Sequence, residues 1–218
     1  MAPIPGPGTS SPGPATVALL ALDLVGVAGR ATTDRRLERM AAASGLTADE
    51  VHERIWASGF DTECDAGLHT LEDARATVRR LLGVDASVDE LRAWWAAGLL
   101  PDPGVLALTD RARARGLPTA LLTNNGPLLL DALEHHELDA VWRRFDRHCF
   151  CFRYRVRKPE LAAYEAFAAD VGVEPGLIAF VDDSPANVDG ARDAGLHAHL
   201  YQGDVPGLEA FLAGLGVV

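Results

Sequence analysis

The sequence predicts an α/β fold, namely a three-layer, Rossmann-like parallel sheet with an inserted helical cap subdomain. The first observation is a set of apolar runs of strand length, which read VALLAL, LPTALL, HCFCFRY, LIAFV and HAHLYQ. Their apolarity is continuous rather than alternating, as expected of strands that are covered on both faces. The second is that helical segments separate these runs, and the third is that residues 31–100 interrupt them with helices alone. Alternating strands and helices favour parallel strands joined by right-handed crossovers.

The N-terminal segment, residues 1–16, reads MAPIPGPGTSSPGPAT and contains no aromatic residue. Such a segment buries too little apolar surface to offset the entropy of ordering, so we expect a disordered tail. The first strand, VALLAL, follows directly. The α/β core domain is expected at residues 17–30 and 101–218, on either side of the cap.

The cap, residues 31–100, contains three N-terminal helix signatures. In each, a hydroxyl side chain precedes a carboxylate by three residues, the spacing with which both satisfy free amides of a first helical turn. The pairs are Thr47 with Glu50, Thr70 with Asp73, and Ser87 with Glu90. They predict helices at 48–57, 71–82 and 88–97, and a further helix is expected at 32–44. No strand is expected in this segment.

The core domain should contain four helices between its strands, at residues 103–115, 127–137, 159–171 and 185–194. Cys149 and Cys151 flank Phe150 in the HCFCFRY run. They form a candidate metal pair, but two small core residues on one face of a strand are the favoured interpretation. With Cys64 they make an odd number of cysteines, which indicates no disulfide framework.

Composition excludes several classes of function. The chain has 218 residues and a formal net charge of -11. That charge argues against non-specific binding to nucleic acid or to an anionic membrane, because both are polyanions. No apolar run approaches the roughly 20 residues of a membrane span. We see no signal-peptide pattern and expect a cytoplasmic protein, although the sequence does not indicate its oligomeric state.

Polar side chains follow the apolar runs at the points where the strands should end. Because ligands of open parallel sheets bind beyond the carboxyl ends of the strands, these side chains are candidate site residues. They are Asp23 after the first run, then Thr123, Asn124 and Asn125, then Lys158, and finally Asp182 and Asp183.

This set of side chains suits phosphoryl transfer through a covalent aspartyl intermediate. A carboxylate can attack phosphorus and leave again, and Mg²⁺ with a nearby ammonium group would neutralise the charge. Lys158 is the only lysine, since the other 19 of the 20 basic residues are arginine. Its compact ammonium group can approach both a carboxylate and a phosphoryl oxygen. The alternative is that one lysine persists by chance in an arginine-rich composition.

Four segments resemble, in order and spacing, the motifs of the haloacid dehalogenase (HAD) superfamily of hydrolases. They read LDLVGV, LLTNNG, RKPELAAY and FVDDSPANVDGARDAG. The resemblance covers about residues 17–202, including the cap inserted after the first motif. It is strongest to the phosphatase branch with a small helical cap, and it implies a HAD-like core domain that hydrolyses a small phosphorylated substrate with Mg²⁺.

The resemblance also implies roles for individual residues. Asp23 is expected as the nucleophile, Thr123 as the hydrogen-bonding partner of the transferred phosphoryl group, and Lys158 as the group that orients Asp23. The expected metal site comprises Asp23, the backbone carbonyl of Val25, Asp182 and Asp183, supported from outside by Asn187. Substrate contacts are expected from Asn124, Asn125 and Trp56.

The sequence departs from the family pattern at Val25. Phosphatases of the family usually have a second Asp there, which protonates the leaving group and then activates water. Three explanations stay open. The substrate has a good leaving group, or the protein is a dehalogenase-like hydrolase, or it is a weak or inactive relative that binds a ligand. Dehalogenases usually lack the paired acids that this chain has at Asp182 and Asp183.

The sequence also departs from the family pattern just before Lys158, where the family usually has an acidic residue and a glycine at the positions of Arg153 and Arg155. These two arginines belong to a basic segment whose members are Arg143, Arg144, Arg147, Arg153, Arg155, Arg157 and Lys158, against Asp146. Arg153, Arg155 and Arg157 would share one face of an extended strand. The segment either binds a second anionic group or is a surface strip that pairs with acidic residues, and we favour the surface strip. Specificity is expected from the cap, with Trp56, Phe60, His69, Trp94 and Trp95 as candidates.

Overall fold

The computed structural model describes residues 17–135 and 139–218, so the expected tail lies outside the described residues. Seven strands run in chain order as β1 Leu19–Leu22, β2 Gly29–Ala31, β3 Leu99–Pro101, β4 Thr119–Thr123, β5 Arg147–Phe150, β6 Ile178–Asp182 and β7 His197–Leu200. Five of them form one parallel sheet in the order β5-β4-β1-β6-β7. The parallel sheet expected from the continuous apolar runs is confirmed.

Alternate side chains of the sheet enter two separate cores. On β1, Leu20 and Leu22 belong to one apolar cluster, whereas Leu19 and Ala21 belong to the other. Strands β4 and β6 alternate in the same way, and all their residues are buried. Both faces of the sheet are therefore covered, which is why these strands are apolar at consecutive positions.

The cap contains five helices, which are α1 Thr33–Ser44, α2 Ala48–His52, α3 Phe60–Asp65, α4 Leu71–Leu82 and α5 Val88–Ala96. A π-helical turn, Glu53–Ala57, continues α2. All three expected N-caps form: the hydroxyls of Thr47, Thr70 and Ser87 accept hydrogen bonds from the expected backbone amides. Helix α3 was not predicted, because it is only six residues long and begins at Gly59 without a side-chain cap.

The remaining helices belong to the α/β core: α6 Pro103–Ala114, α7 Pro127–His135, α8 Asp139–Trp142, α9 Leu161–Val171, α10 Pro185–Asp193 and α11 Val205–Gly214. Four of them match the expected segments, although the predicted end of α7 at residue 137 lies outside the described residues. Helices α8 and α11 were not predicted.

The cap begins and ends in a small antiparallel ribbon, which corrects the expectation of helices alone. Strand β2 pairs with β3, with Gly29 opposite Pro101 and Ala31 opposite Leu99. A Cβ at Gly29 would collide with the Leu99 side chain, so the two strands approach closely. Three-residue strands are too short to give a period-2 pattern, and this explains why the sequence did not reveal them.

The cap also packs firmly against the core domain. Its helices α4 and α5 contact α7, and the apolar interior of the cap is continuous with the cluster on one face of the sheet. The buried Asp131 carboxylate on α7 pairs with Arg75 at 2.6 Å and with Arg92 at 3.1 Å. Two arginines of the cap are thus tied to one carboxylate of the core.

The HCFCFRY run is a strand only as far as Phe150, which corrects the predicted extended segment. A 3₁₀ turn occupies Cys151–Arg153, and Arg155 has a positive φ of 58°. Arg153, Arg155 and Arg157 therefore do not share a strand face, and Cys151 does not lie in the strand with Cys149. The apolar run persists because Cys149, Phe150 and Cys151 are all buried, whether they are in the strand or in the turn.

In the described part of the chain, no helix combines the length and the apolarity that a membrane span requires. The three cysteines are free and buried. Burial raises the pKa of the Cys149 thiol and of the Cys151 thiol to about 11, which supports the interpretation of both as protonated core residues.

Candidate active site

The order of the strands brings the expected site residues together. Strand β1 lies between β4 and β6, so the residues that follow these three strands are neighbours. The Asp23 amide still donates to the Val181 carbonyl at 2.8 Å, which fixes Asp23 at the end of the sheet. Thr123 is the last residue of β4, and Asp182 is the last residue of β6.

Lys158 lies at the centre of this arrangement, with a side chain that is 1% exposed. Its Nζ donates to Asp23 Oδ1 at 2.9 Å, to Asp182 Oδ2 at 2.6 Å and to the Leu122 carbonyl at 2.8 Å. An ammonium group has three donors, and all three find acceptors here. A planar guanidinium would present its donors in a different geometry, and this explains why the position suits a lysine.

The pKa values of this group follow from burial and charge. Burial opposes the charge on Lys158, but Asp23 and Asp182 outweigh it, and the pKa of the lysine rises above its ordinary value. For Asp23, burial raises the pKa to about 6, assisted by Asp182 and opposed by Lys158 and Thr123. Lys158 is therefore charged at neutral pH. The Asp23 carboxyl group is ionised in most molecules at that pH, and in this form it could act as a nucleophile.

Oxygen atoms suited to Mg²⁺ lie beside the lysine. Carboxylate oxygens of Asp23, Asp182 and Asp183 lie within 4.8 Å of one another. Asp183 is exposed, and a Cβ at Gly26, whose φ is 103°, would collide with its carboxylate. The loop after β1 thus approaches Asp183 so closely that only glycine fits. An all-oxygen set of three carboxylates is what Mg²⁺ prefers, so the residues fit this metal.

Asp182 differs from its two acidic neighbours because its oxygens are already engaged. Oδ2 accepts from Lys158, and Oδ1 accepts from the Ser184 amide and from Asn187 Nδ2, each at 2.9 Å. This set of contacts suits a carboxylate that orients the lysine better than one that binds metal directly. Asn187 is in turn held in the supporting position that the sequence predicted for it.

The two asparagines after β4 make contacts within the protein. Asn124 donates from Nδ2 to the Lys158 carbonyl at 2.8 Å and accepts from the Lys158 amide at 3.0 Å. Its amide therefore holds the lysine segment against β4, and the predicted substrate contact stays a prediction. Asn125 donates to Thr123 Oγ1 at 2.7 Å. Both residues nevertheless line the cavity above Asp23.

A cavity of about 270 Å³ lies between the sheet edge and the cap. Its floor, on the core side, comprises Asp23, Val25, Thr123, Asn124, Asn125, Lys158 and Asn187. Its cap wall comprises Ala31, Arg36, Trp56, Asp61, Asp65 and Gly98. Of the five aromatic candidates in the cap, only Trp56 lines this cavity. Phe60, Trp94 and Trp95 are buried in the core, and His69 pairs with Glu63.

The sequence analysis missed three charged residues of the cap wall: Arg36, Asp61 and Asp65. Arg36 Nε is buried without a hydrogen-bond partner, and its guanidinium lies 5.8 Å from the Trp56 ring and 5.6 Å from the Trp95 ring. Asp61 and Asp65 stand one turn apart on α3 and therefore share a face. That spacing is the only signal in the sequence, and it was lost because α3 itself was not predicted.

Electrostatics in the cap wall differ between the two acids. Burial raises the pKa of Asp61, while Arg36 and Arg157 lower it and the Trp56 side chain hydrogen-bonds it. Burial raises the pKa of Asp65 to about 8, with a further increase from Asp61. Arg157 Nη2 lies 3.7 Å from Asp65 Oδ2, beyond hydrogen-bonding distance. Its positive charge therefore opposes the rise in the Asp65 pKa only in part.

The basic segment before Lys158 is dispersed over the surface. Arg144 pairs with Asp110 at 2.9 Å, and Arg147 pairs with Asp170 at 3.0 Å. These contacts support the interpretation of a surface strip that pairs with acidic residues. Arg157 is different, because it reaches the acids of the cap wall.

Comparisons with known proteins agree with this geometry. The family model for haloacid dehalogenase-like hydrolases matches residues 24–195. The chain is 29% identical over 191 residues to Phosphatase MT3486 from Mycobacterium tuberculosis, covering 85% of this chain and 87% of that protein. It is 36% identical over 102 residues to Protein CbbY (plasmid) from Cupriavidus necator. That alignment covers 46% of this chain and 40% of the relative.

Solved structures share the fold at low identity. A HAD-family enzyme from Bacteroides thetaiotaomicron, in complex with magnesium and inorganic phosphate, aligns with a TM-score of 0.70 at 20% identity, covering 86% of this chain and 96% of that one. An L-2-haloacid dehalogenase from Xanthobacter autotrophicus aligns with a TM-score of 0.57 at 19% identity, covering 91% and 88%. Both comparisons support the α/β fold.

Proposed function

Because the chain belongs to the haloacid dehalogenase-like hydrolases, we propose that it is a Mg²⁺-dependent phosphatase that uses an aspartyl-phosphate intermediate. The substrate is a small phosphorylated metabolite, in keeping with a cavity of about 270 Å³. The observation that carries the proposal is the contact of the Lys158 ammonium group with both Asp23 and Asp182. It supplies an oriented carboxylate and a fixed positive charge at one point.

In this mechanism Asp23 attacks phosphorus. Lys158 holds the Asp23 carboxylate through Oδ1, which leaves Oδ2 to form the new bond. The same ammonium group and the Thr123 hydroxyl stabilise the charge on the transferred phosphoryl group. Asn124 keeps Lys158 in place by binding its backbone on both sides. Water then hydrolyses the aspartyl phosphate and restores Asp23.

The metal would be held by Asp23 and Asp183, with the Val25 carbonyl and the more strongly engaged Asp182 completing the predicted set. When bound, Mg²⁺ would lower the electrostatic cost of bringing an anionic nucleophile to an anionic phosphoryl group. The approach of Gly26 to Asp183 supports this assignment, because the close fit keeps the acidic side chain beside Asp23.

The two alternatives are less well supported. A dehalogenase would not need paired acids at 182 and 183, whereas here these acids form part of a three-carboxylate cluster with Asp23. A purely binding protein would not need Asp23 to be oriented by a buried lysine. Both alternatives retain one supporting feature, which is the valine at position 25.

The test is phosphate release from p-nitrophenyl phosphate and acetyl phosphate, measured with Mg²⁺ and again after EDTA. We expect turnover that needs the metal and that falls by at least ~10³-fold in Asp23→Asn, since the nucleophile is removed. Asp193→Asn is the matched control, because this exposed carboxylate on α10 lies outside the cavity. Chloride release from 2-chloropropionate in place of phosphate release would establish the dehalogenase instead. No turnover of any ester would favour the binding protein.

A further inference from the structure

The proposed phosphatase lacks a proton donor at its usual position. Val25 lines the cavity where the family pattern has an acid, and its side chain transfers no proton. In an in-line displacement the leaving oxygen departs on the side of phosphorus opposite the nucleophile. Asp23 is in the floor, so the leaving group faces the cap wall. A donor in that wall would be correctly placed.

Among the described residues that line the cavity, the carboxylic acids other than the nucleophile are Asp61 and Asp65. The third acid, Asp23, is the nucleophile, and the lining contains no histidine, cysteine or tyrosine. Asp61 is less suited to donate than Asp65. Burial raises the pKa of Asp61 as well, but Arg36 and Arg157 oppose the rise and the Trp56 side chain hydrogen-bonds the carboxyl group.

We propose that Asp65 is the general acid and base of the reaction and that it replaces the proton-transfer group missing at position 25. This inference rests on the proposed function and adds a catalytic residue to it. Its geometric basis is the packing of α3 on the loop that follows β4. A Cβ at Gly126 would come within 2.8 Å of Cys64 Cβ, so the end of α3 lies directly against that loop. Thr123, Asn124 and Asn125, which line the floor, immediately precede Gly126.

The surroundings of Asp65 favour its protonated form at neutral pH, and they also stabilise the carboxylate that forms when the proton is lost. Burial and Asp61 from the same helix raise its pKa to about 8, while Arg157, Gly126 and Arg36 lower it in part. Arg157 comes from the segment before Lys158, at 3.7 Å, and its Nε is buried without a hydrogen-bond partner. Once Asp65 has given up its proton, this guanidinium stabilises the carboxylate that remains.

The proton balance is closed over the two steps. In the first, the Asp23 carboxylate bonds to phosphorus, the bond from phosphorus to the leaving oxygen breaks, and the Asp65 proton goes to that oxygen. In the second, water attacks phosphorus and gives a proton to the Asp65 carboxylate. The bond from phosphorus to Asp23 breaks, inorganic phosphate leaves, and both aspartates return to their initial states.

The experiment compares phenyl phosphate with p-nitrophenyl phosphate in the full-length protein with Mg²⁺. The two esters have nearly the same shape, but only phenoxide needs a proton to leave readily. In Asp65→Asn we expect kcat/KM for phenyl phosphate to fall by about 10²-fold or more, and that for p-nitrophenyl phosphate to fall by less than about 5-fold. Glu63→Gln is the matched control, because this exposed carboxylate of α3 lies outside the cavity, and it should change both esters by the same factor.

Two results would overturn the assignment. Equal losses on both esters in Asp65→Asn would make Asp65 a structural or binding residue and leave the phosphatase intact. A larger selective loss on phenyl phosphate in Asp61→Asn than in Asp65→Asn would assign the role to Asp61. If the unchanged protein hydrolyses neither ester, the phosphatase fails and this inference fails with it.

A second measurement needs no variant and therefore does not depend on how Asp65→Asn folds. In the unchanged protein, the ratio of kcat/KM for phenyl phosphate to that for p-nitrophenyl phosphate is followed from pH 6 to 10. Groups that affect both esters equally cancel in this ratio. We expect it to be constant up to about pH 8, where Asp65 titrates, and to fall above that value. A ratio that stays constant throughout would contradict the proposal.

Discussion

The floor and the cap wall of the cavity use the same kinds of charged side chain in opposite ways. In the floor, Lys158 donates three hydrogen bonds of 2.6 to 2.9 Å, two of them to carboxylates. At the cap wall, Arg157 of the core domain stands 3.7 Å from Asp65, and both Arg157 and Arg36 keep a buried Nε without a partner. Every donor of the Lys158 ammonium group thus has an acceptor in the floor, whereas buried arginine donors at the cap wall have none.

This difference indicates a division of work. A buried charge that satisfies all of its partners is held rigidly, and such rigidity favours the alignment of a nucleophile. Buried polar groups without partners cost free energy, so those beside a cavity are candidates for contacts with a ligand. Under the proposed function, the floor would perform the part of the reaction common to all substrates, and the cap wall would contact the leaving group.

The largest effect should follow from breaking the floor with Lys158→Met. Asp23 and Asp182 would lose their shared cation while remaining buried, and removal of one partner from a buried ion pair costs about 3 to 5 kcal/mol. We expect the free energy of unfolding in urea to fall by that amount, and phosphatase activity to fall by at least ~10³-fold. Arg192→Met removes an exposed cation of α10 as the control.

Lys158→Arg tests whether the floor needs the hydrogen-bond geometry of lysine or only its charge. It keeps the charge, but its planar fork cannot reproduce three converging bonds to Asp23, Asp182 and the Leu122 carbonyl. We expect it to fold more stably than Lys158→Met while losing most of the activity. Full activity in Lys158→Arg would mean that charge alone matters in the floor.

The next prediction concerns Val25→Asp, which places a proton-transfer group in the floor in addition to Asp65 in the cap wall. If Asp65 already supplies the proton, the substitution should change the hydrolysis of phenyl phosphate little in the unchanged background. In Asp65→Asn it should restore up to about 10²-fold, the usual contribution of a general acid. A large gain in the unchanged background would instead show that the cap wall supplies no proton.

A smaller effect should appear in the pH dependence of stability. The pKa of Asp65 rises from 3.8 to about 8 on folding, so between these values the folded protein keeps a proton that the unfolded chain has lost. The free energy of unfolding therefore falls as pH rises, by at most ~1.4 kcal/mol per pH unit for this group. Asp65→Asn should remove this slope, and the variant should gain stability over the parent as pH rises. An unchanged slope in urea titrations would contradict the raised pKa.

The sequence was sufficient to predict the fold and the floor, for a physical reason. Strands covered on both faces must be apolar throughout, so VALLAL and LIAFV marked β1 and β6 together with the ends at which Asp23 and Asp182 lie. The three capping pairs of the cap were equally readable, since they depend on residues only three positions apart. Local patterns and parallel topology together bring the lysine and the aspartates to one edge.

The cap wall could not be predicted in this way. Arg36 influences Asp61 only because tertiary packing brings α1 near α3, and α3 begins without a capping side chain. The basic segment led to the wrong prediction of an extended strand for a related reason. Its arginines suggest an extended face, but the chain turns at Arg155, and only Arg157 reaches the cap wall. Contacts made by tertiary packing leave no periodic signal in the sequence.

The smallest effect should come from the outer surface of the cap, and it tests whether the cap wall acts as a fixed surface. Ser87 caps α5, accepting from the Glu90 amide at 3.2 Å, and Ser87→Ala should cost about 1 kcal/mol of stability. Helix α5 packs against α7, and Arg92 on α5 binds the buried Asp131, so the helix should stay docked after its cap is lost. The kcat/KM values for both esters should then remain within about twofold of the parent, while the urea midpoint falls. A selective loss of phenyl phosphate hydrolysis in Ser87→Ala would mean that the position of Asp65 depends on the ends of distant cap helices, and that the wall is not fixed by its contact with the core.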